Sequence, residues 1–241
     1  MIARLYRSLA VTMLLGATAS HSIAGQTFAS VQALKSLSSI TSHPEADYAT
    51  SISNNNRYLA FVSKRSGNPD IWLKSLADGV VALPRQLTTH PTVDKDPALN
   101  SAGDQLLYVA NKTDPRGDVF LLSINTGKET KLSDLSTEDS SPHWSADGTA
   151  FYYLKRNLST RKQGIFKQPL NGTQGEYLIE EAQSFSVTPD GALLYSDSDG
   201  IKVLTDGNRH AVSITQGFLD LWPTYGTAVT QTDMPVHELY F

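Results

Sequence analysis

The segment Ser141–Tyr153 reads SPHWSADGTAFYY, and its order of loop, apolar strand, tight turn and second strand recurs along the chain. This copy begins at Asp139, related copies begin at Asp47, Asp94 and Asp220, and a weaker copy runs through Phe185. Subtracting residue numbers places equivalent residues of the five copies 47, 45, 43 and 38 positions apart: Ile52, Leu99, Trp144, Val187 and Tyr225. A period of about 40 residues is typical of the four-stranded blades of a β-propeller.

Turn-forming residues separate the first two strands of each copy. They tolerate the positive φ of a tight hairpin and hold equivalent positions: Asn54-Asn55-Asn56, Ser101-Ala102-Gly103, Ala146-Asp147-Gly148 and Pro189-Asp190-Gly191. Aliphatic, aromatic and β-branched residues dominate the runs that follow: 58–63, 105–110, 150–155 and 192–197. Such runs are typical of half-buried strands, and no sustained helical periodicity follows the N-terminus.

The two ends of the chain determine the predicted number of blades. Residues 237–241 match residues 117–121 of a third strand, so the fifth copy lacks its fourth strand. Residues 40–44 match residues 87–91, which we assign to the end of a fourth strand and the loop after it. We therefore predict an all-β fold: a five-bladed β-propeller of four-stranded antiparallel blades, closed by an N-terminal strand at about 34–42 that completes the C-terminal blade. The alternative is a truncated six- or seven-bladed parent.

The N-terminus has the pattern of a secretory signal. Arg4 and Arg7 precede an apolar run from Leu9 to Ala19, and Ser22-Ile23-Ala24 offers small residues for cleavage. We predict a signal peptide over 1–24 and one propeller domain over 25–241, with cleavage after Ala19 as an alternative. The apolar run is short for a membrane span, so a retained anchor is the less favoured alternative. After cleavage no membrane span is expected.

Composition narrows the cellular location and the partners. The chain has no cysteine, which excludes disulfides, a thiol nucleophile and a thiolate metal site. An exported protein without disulfides is best suited to a bacterial periplasm, so we expect a periplasmic or secreted bacterial protein. The formal charge of −4 becomes −6 when the two arginines of the signal are removed. A negative chain of this kind is a poor ligand for nucleic acid.

The repeat resembles that of a known family. Residues 141–153 resemble the WD-repeat-like propeller repeat of the TolB family, with looser copies at residues 96–103 and 186–191. Asn68-Pro69-Asp70-Ile71-Trp72 is similar to the third-strand signature of that family. The same repeat occurs in periplasmic TolB, in propellers of prolyl-oligopeptidase-like peptidases and in sensor regions of membrane regulators. The resemblance implies an exported propeller, without specifying its partner.

Motifs of catalysis are missing from the sequence. There is no Gly-x-Ser-x-Gly elbow, and His237-Glu238 is not followed by a second His at helical spacing. Asp197-Ser198-Asp199-Gly200 could suggest calcium, but a hairpin turn is the simpler interpretation.

A charge pattern emerges once the propeller is assumed. The loops that enter the innermost strands surround one channel mouth, and they carry many carboxylates. Those that we select as candidates for binding a partner or a cation are Asp47, Asp94, Asp96, Asp139, Glu181 and Asp220. Loops farther out carry basic residues: Lys64, Arg65, Lys112, Arg116, Lys155, Arg156, Arg161 and Lys162. Two interpretations stay open, since each Asp either caps its loop or contributes to an acidic centre that binds a cation or a basic segment.

Aromatic and histidine residues in the same loops are further candidates. Trp222 precedes Pro223 at the channel entrance, where an indole could stack on a sugar or a partner side chain. His43 and His90 hold equivalent positions, and either they form part of a metal site or they reflect the repeat alone. Trp72 and Trp144 are expected in the core. No cofactor is expected, although calcium or another divalent cation in the channel is possible.

The sequence favours a non-catalytic periplasmic protein-binding or scaffolding propeller of TolB-like type. We expect a monomer that binds a protein partner of the cell envelope on the top face, around the acidic channel mouth. Two alternatives stay open: a ligand-sensing propeller, and a glycoside hydrolase-like five-bladed enzyme with channel carboxylates at roughly 5–10 Å separation.

Overall fold

The repeated turns fold as hairpins, and the strands that they join form antiparallel sheets. The structure, a computed structural model, describes residues 39–77, 82–133, 137–205 and 211–214, together with the backbone of two further strands at 224–229 and 235–240. The part of the chain from Ser39 onward forms one compact unit. All regular elements described within it are β-strands.

Four sheets of four antiparallel strands follow one another along the chain. The first contains β1 (Asp47–Ile52), β2 (Tyr58–Ser63), β3 (Asp70–Ser75) and β4 (Arg85–Gln86), and the second β5 (Asp94–Leu99), β6 (Gln105–Ala110), β7 (Asp118–Ser123) and β8 (Glu129–Lys131). The third contains β9 (Thr137–Trp144), β10 (Ala150–Asn157), β11 (Gln163–Pro169) and β12 (Glu176–Ile179), and the fourth β13 (Ser184–Val187), β14 (Leu193–Asp197), β15 (Gly200–Leu204) and β16 (Val212–Ser213). The first strand of each sheet contacts the first strand of the next, so these four strands are the innermost. The prediction of an all-β propeller is confirmed.

Apolar residues on both sides of the second strands hold the sheets together. In β6, Leu106 through Ala110 are all fully buried, because the sheet packs against a neighbour on each face. One hydrophobic cluster lies between the first and second sheets, another between the second and third, and another between the third and fourth. Burial of large side chains such as Tyr108 and Tyr153 is the main stabilising contribution.

A bulge interrupts the innermost strand of the first three sheets at equivalent places. Ala49, Asp96 and Ser141 have positive φ angles of 48°, 51° and 52°, and the pairing register shifts beside each of them. An extra residue of this kind bends the strand and redirects its side chains. The bulge places Asp96 next to the third sheet, since its Oδ2 accepts a hydrogen bond of 3.2 Å from the Ser141 N–H.

The predicted number of blades is wrong. The described residues form four four-stranded sheets, and the fifth copy contributes only a two-stranded sheet of β17 (Thr224–Val229) and β18 (Pro235–Tyr240). Ser39–Ala46 contains no strand, and residues 34–38 of the predicted closing strand lie outside the described residues. The reason is visible in the first sheet, where β4 ends at Gln86, before residues 87–91 begin. The matched segments therefore share a loop and not an outer strand.

Candidate functional site

The four sheets have two edges at which loops connect their strands. The loop face is the edge at which the innermost strands β1, β5, β9 and β13 begin. The turn face is the opposite edge, at which these strands end and the hairpin turns lie. The described candidate residues belong to the loop face: Asp47, Asp94, Asp96, Asp139, Glu181, His43 and His90. Because β2 ends where β1 begins, its outgoing loop lies on the same face, as predicted.

Asp47 is held by a basic residue of its own sheet. Arg65 Nη2 lies 2.8 Å from both carboxylate oxygens of Asp47, and both side chains are about nine-tenths buried. Burial alone would raise the pKa of Asp47, but hydrogen bonds from Arg65, Ser63 and Thr41 outweigh it and lower that pKa. The carboxylate is thus ionised and already paired.

Basic residues of the predicted rim pack onto aromatic rings. The Arg65 guanidinium lies 5.3 Å from the ring centroid of Phe61 and 4.9 Å from that of Trp72. Lys112 lies likewise over Tyr108 and Phe120, at 5.3 and 5.1 Å, and Lys155 over Tyr153 and Phe166, at 6.0 and 4.3 Å. In each sheet the two rings are cross-strand partners of the second and third strands. Cation–π contact therefore fixes three of the rim cations to their own blades.

These cation–aromatic stacks were not predicted from the sequence. Their signal is an aromatic residue in the second strand with a basic residue four positions later, as in Phe61 and Arg65 or Tyr108 and Lys112. In the third sheet the spacing is two, which obscures the pattern. Lys112 also forms an ion pair of 2.7 Å with Glu129.

Asp94 and Asp139 are completely buried. Asp94 starts β5, where its N–H donates a hydrogen bond of 2.9 Å to the Pro69 carbonyl, and its carboxyl is 0% exposed. Burial raises the pKa of Asp94 to about 6, although a hydrogen bond from Thr88 and the positive charge of Lys112 act to lower it. Asp139 is also 0% exposed and accepts a hydrogen bond of 2.9 Å from Thr137 Oγ1. A raised carboxyl pKa is typical of general acids, but burial keeps Asp94 from touching a substrate.

The remaining described candidates are more exposed. Glu181 forms an ion pair of 2.7 Å with Lys162, with side chains 63% and 59% exposed, and Glu138 pairs with Arg156 at 3.3 Å, both 43% exposed. His43 accepts a hydrogen bond of 3.1 Å from the Glu45 N–H through Nδ1.

His90 makes the same contact. Its Nδ1 accepts a hydrogen bond of 3.3 Å from the N–H of Thr92, two residues later, as His43 does from Glu45. The two histidines therefore cap equivalent loops, which agrees with the interpretation that they reflect the repeat. Within the ranges that the structure describes, no three His, Asp or Glu side chains are grouped so that they could hold a metal ion. Asp220 and Trp222 lie outside these ranges, and the prediction of a divalent cation stays a prediction.

The turn face contains a depression of about 430 Å³ that the sequence analysis did not predict. Residues of all four four-stranded sheets line it, among them Asn54, Asn100, Asp147 and Thr188 of the four hairpin turns. Trp144 also lines the depression, while its Nε1 donates a hydrogen bond of 2.9 Å to the Ala98 carbonyl of the second sheet. The signal available in the sequence was the recurrence of Leu99, Trp144 and Val187 beside the turns.

Family membership follows from a comparison of sequences. Residues 23–216 match the family model described as the TolB beta propeller domain. No curated protein matches the chain. Among the described residues no helix is long and apolar enough to cross a membrane.

Solved structures resemble the chain in fold. TolB from Acinetobacter baumannii superposes with a TM-score of 0.63 at 15% identity, over 80% of this chain and 51% of that one. A protein described as putative TolB from Agrobacterium tumefaciens gives 0.58 at 19% identity, over 70% and 65%. An oligogalacturonate lyase in complex with manganese gives 0.57 at 12% identity, over 70% and 52%. The chain thus spans about half to two thirds of the length of these proteins, and the likeness extends to the fold alone.

Proposed function

Because the chain belongs to the TolB β-propeller domain family, we propose that it is a non-catalytic binding propeller of the bacterial cell envelope that engages a protein partner on its loop face. The propeller fold supports a binding role, since rigid strands hold many variable loops on one surface. The predicted signal peptide over 1–24 supports export to the periplasm.

The observation that carries the proposal is the set of exposed ion pairs on the loop face. Roughly half of each side chain is exposed to solvent in the two pairs Glu138–Arg156 and Glu181–Lys162. Exposed pairs contribute only about 0–1 kcal/mol each, so a partner with complementary charges replaces them at little cost. Strands with fully buried residues, such as Tyr153 in β10, hold these charges in fixed positions.

The acidic channel mouth acts in two ways in this proposal. Asp94 and Asp139 are buried, so a partner protein cannot touch them directly. They shape the loops, and their charge contributes to the electrostatic field of the channel mouth. Direct contact is assigned to the exposed carboxylates, Glu181 above all. Asp220 and Trp222 remain candidates for contact at the same mouth.

Site-specific photo-crosslinking in the envelope of the source cell tests the proposal. A photo-reactive amino acid replaces Glu181 on the loop face of the full chain, and a matched variant carries it at Asp190 on the turn face. Both positions are exposed, so both probes are accessible to a partner in solution. We expect a discrete protein adduct from position 181 alone. An adduct from position 190 alone, or no adduct from either, would refute loop-face binding.

A charge variant completes the test. The double change Glu138→Gln and Glu181→Gln removes two exposed negative charges while keeping both side-chain shapes. If the loop face engages its partner through charge, the adduct from a probe at a neighbouring loop position, Glu180, weakens and becomes less sensitive to salt. An adduct of unchanged yield at every salt concentration would rule out the charge-based contact.

A further inference from the structure

We infer that the turn-face depression is a second binding site, which takes an organic cation with a primary ammonium or guanidinium group. This inference goes beyond the proposed loop-face function, because the depression lies at the opposite edge of the sheets. The depression has a volume of about 430 Å³ and is lined by residues from four successive sheets. A concave site where several elements converge is a usual location for ligand binding.

One formal charge dominates the lining. Among the described residues that line the depression, Asp147 is the sole Asp, Glu, Lys or Arg, and it is exposed. Hydrogen bonds from Ser145 and Thr149 lower the pKa of Asp147 to about 2, so the carboxylate is ionised at neutral pH. Lys167 contributes weakly to the same effect, and no ion pair joins it to Asp147 in the described part of the chain. The carboxylate is therefore available to a cationic ligand.

The histidine in the lining is a neutral acceptor. His143 Nδ1 lies 3.0 Å from the Ser141 carbonyl oxygen, and since a carbonyl oxygen only accepts, Nδ1 carries the hydrogen. Burial lowers the pKa of His143, and the ring packs against Phe185 at 4.7 Å between centroids. Its Nε2 is then left as an acceptor, which suits an N–H donor and disfavours a carboxylate ligand.

The other lining groups fit the apolar and polar parts of such a ligand. The carboxamides of Asn54 and Gln105 form no hydrogen bond with another described residue, so both can pair with a ligand. The Trp144 indole N–H is used by Ala98, which fixes the ring in the wall of the depression. An indole ring is also the best aromatic partner for an organic cation.

Binding is measured on the full chain by NMR, from the indole N–H signal of Trp144. The probes are short blocked peptides with Lys, Arg or Glu as the central residue, and free spermidine. We expect saturable shifts with the Lys or Arg peptide or with spermidine, and none with the Glu peptide. Stronger binding of the peptides than of spermidine identifies a protein segment as the source of the cation, and the reverse identifies a free polyamine.

The variant Asp147→Asn separates charge from structure. Asn55 shows that an amide fits the same turn: its Oδ1 accepts hydrogen bonds of 2.6 Å from Ser53 Oγ and 3.0 Å from the Arg57 N–H. Asp147 Oδ1 accepts the equivalent bonds from Ser145 Oγ and the Thr149 N–H, at 2.6 and 3.0 Å. The variant therefore keeps the turn and loses the charge, and binding is expected to weaken about three- to tenfold.

Asp190→Asn is the matched control. Asp190 holds the equivalent position in the turn of the fourth sheet but does not line the depression. We expect this variant to bind as the unmodified chain does. Three results would overturn the inference: no shift with any cation, equal binding by the Asp147→Asn variant, or equal losses in both variants, which would indicate a general charge effect.

Discussion

Arg65 Nη2 lies 2.8 Å from both carboxylate oxygens of Asp47, while the same guanidinium stacks on the rings of Phe61 and Trp72. The contact joins the loop after the second strand to the start of the innermost strand. It therefore stabilises the first sheet at the loop face, and it neutralises a carboxylate that the sequence alone presented as part of an acidic centre.

Replacing Arg65 by Met should destabilise the protein by about 2–4 kcal/mol, because the buried carboxylate of Asp47 loses its partner. Met keeps an apolar side chain but removes the guanidinium both from Asp47 and from the aromatic rings, so a double-mutant cycle is needed to isolate the ion pair. Asp47→Asn should destabilise less, and the double variant should recover part of the loss. Denaturant unfolding measures all four proteins. Additive effects in this double-mutant cycle would show that the ion pair contributes nothing.

The pH dependence of the same pair has a defined sign. The folded-state pKa of Asp47 lies below its ordinary value of 3.8, so the carboxylate contributes stability above that pH. This contribution is lost as pH falls through the folded-state pKa. The Arg65→Met variant should therefore show a shallower acid limb in thermal melts below about pH 4. An unchanged acid limb would assign the acid sensitivity to other carboxylates.

Asp94 should have the opposite effect on stability. Its folded-state pKa of about 6 exceeds the ordinary 3.8, so its contribution is full below pH 3.8 and is lost as pH rises through about 6. This difference between the folded-state pKa and the ordinary pKa of Asp94 corresponds to up to about 3 kcal/mol in the free energy of unfolding. Asp94→Asn removes the buried charge, so the variant should be more stable than the unmodified chain at pH 8 and similar to it near pH 4.

Thermal melts from pH 4 to 8 measure this effect. Asp104→Asn serves as the control, because it makes the same substitution at an exposed carboxylate of the same sheet. If the Asp94→Asn variant were less stable at pH 8, the carboxylate would have to be stabilised by its surroundings.

Local patterns in the sequence predicted the strands and turns well. The hairpins at Asn54–Asn56 and Ala146–Gly148 follow from residue types that tolerate positive φ, a property of each residue alone. The number of blades depended on a match between residues 40–44 and 87–91, which identifies similar loops but contains no information on strand pairing. His43 and His90 explain that match, because each caps its loop by the same backbone hydrogen bond.

The candidate site was harder to predict, since it depends on burial and on contacts between sheets. The sequence places Asp94 and Glu181 in corresponding loops of two repeats, yet Asp94 is fully buried and the Glu181 side chain is 63% exposed. Nothing in the local sequence of Asp94 indicates that the loop before β5 packs on Pro69. The turn-face depression similarly requires the relative placement of four sheets, which no single repeat determines.

The bulge in the first strand offers a test of backbone strain. Ala49 has a φ of 48° and an exposed side chain, so the strain comes from the backbone and little packing is lost on substitution. A left-handed conformation costs a residue with a Cβ roughly 1–2 kcal/mol. Ala49→Gly should therefore raise the free energy of unfolding by about 0.5–1 kcal/mol. Ala46→Gly, three residues earlier and without a positive φ, should lower it. Equal effects of the two substitutions in urea unfolding would refute the strain.

Gly103 tests the packing between the first two sheets. It has a φ of 78°, and a Cβ at this position would collide with the ring of Tyr58 in the neighbouring sheet. Gly127 has a similar φ of 70°, but open space surrounds its Cβ position. Both Gly→Ala variants carry the backbone penalty of about 1 kcal/mol, and Gly103→Ala should lose about 1–3 kcal/mol more because the sheets must move apart. Chemical unfolding of the two variants measures the difference. If Gly103→Ala and Gly127→Ala were equally stable, Tyr58 would have room to move, and the contact between the sheets at the turn face would be looser than the structure indicates.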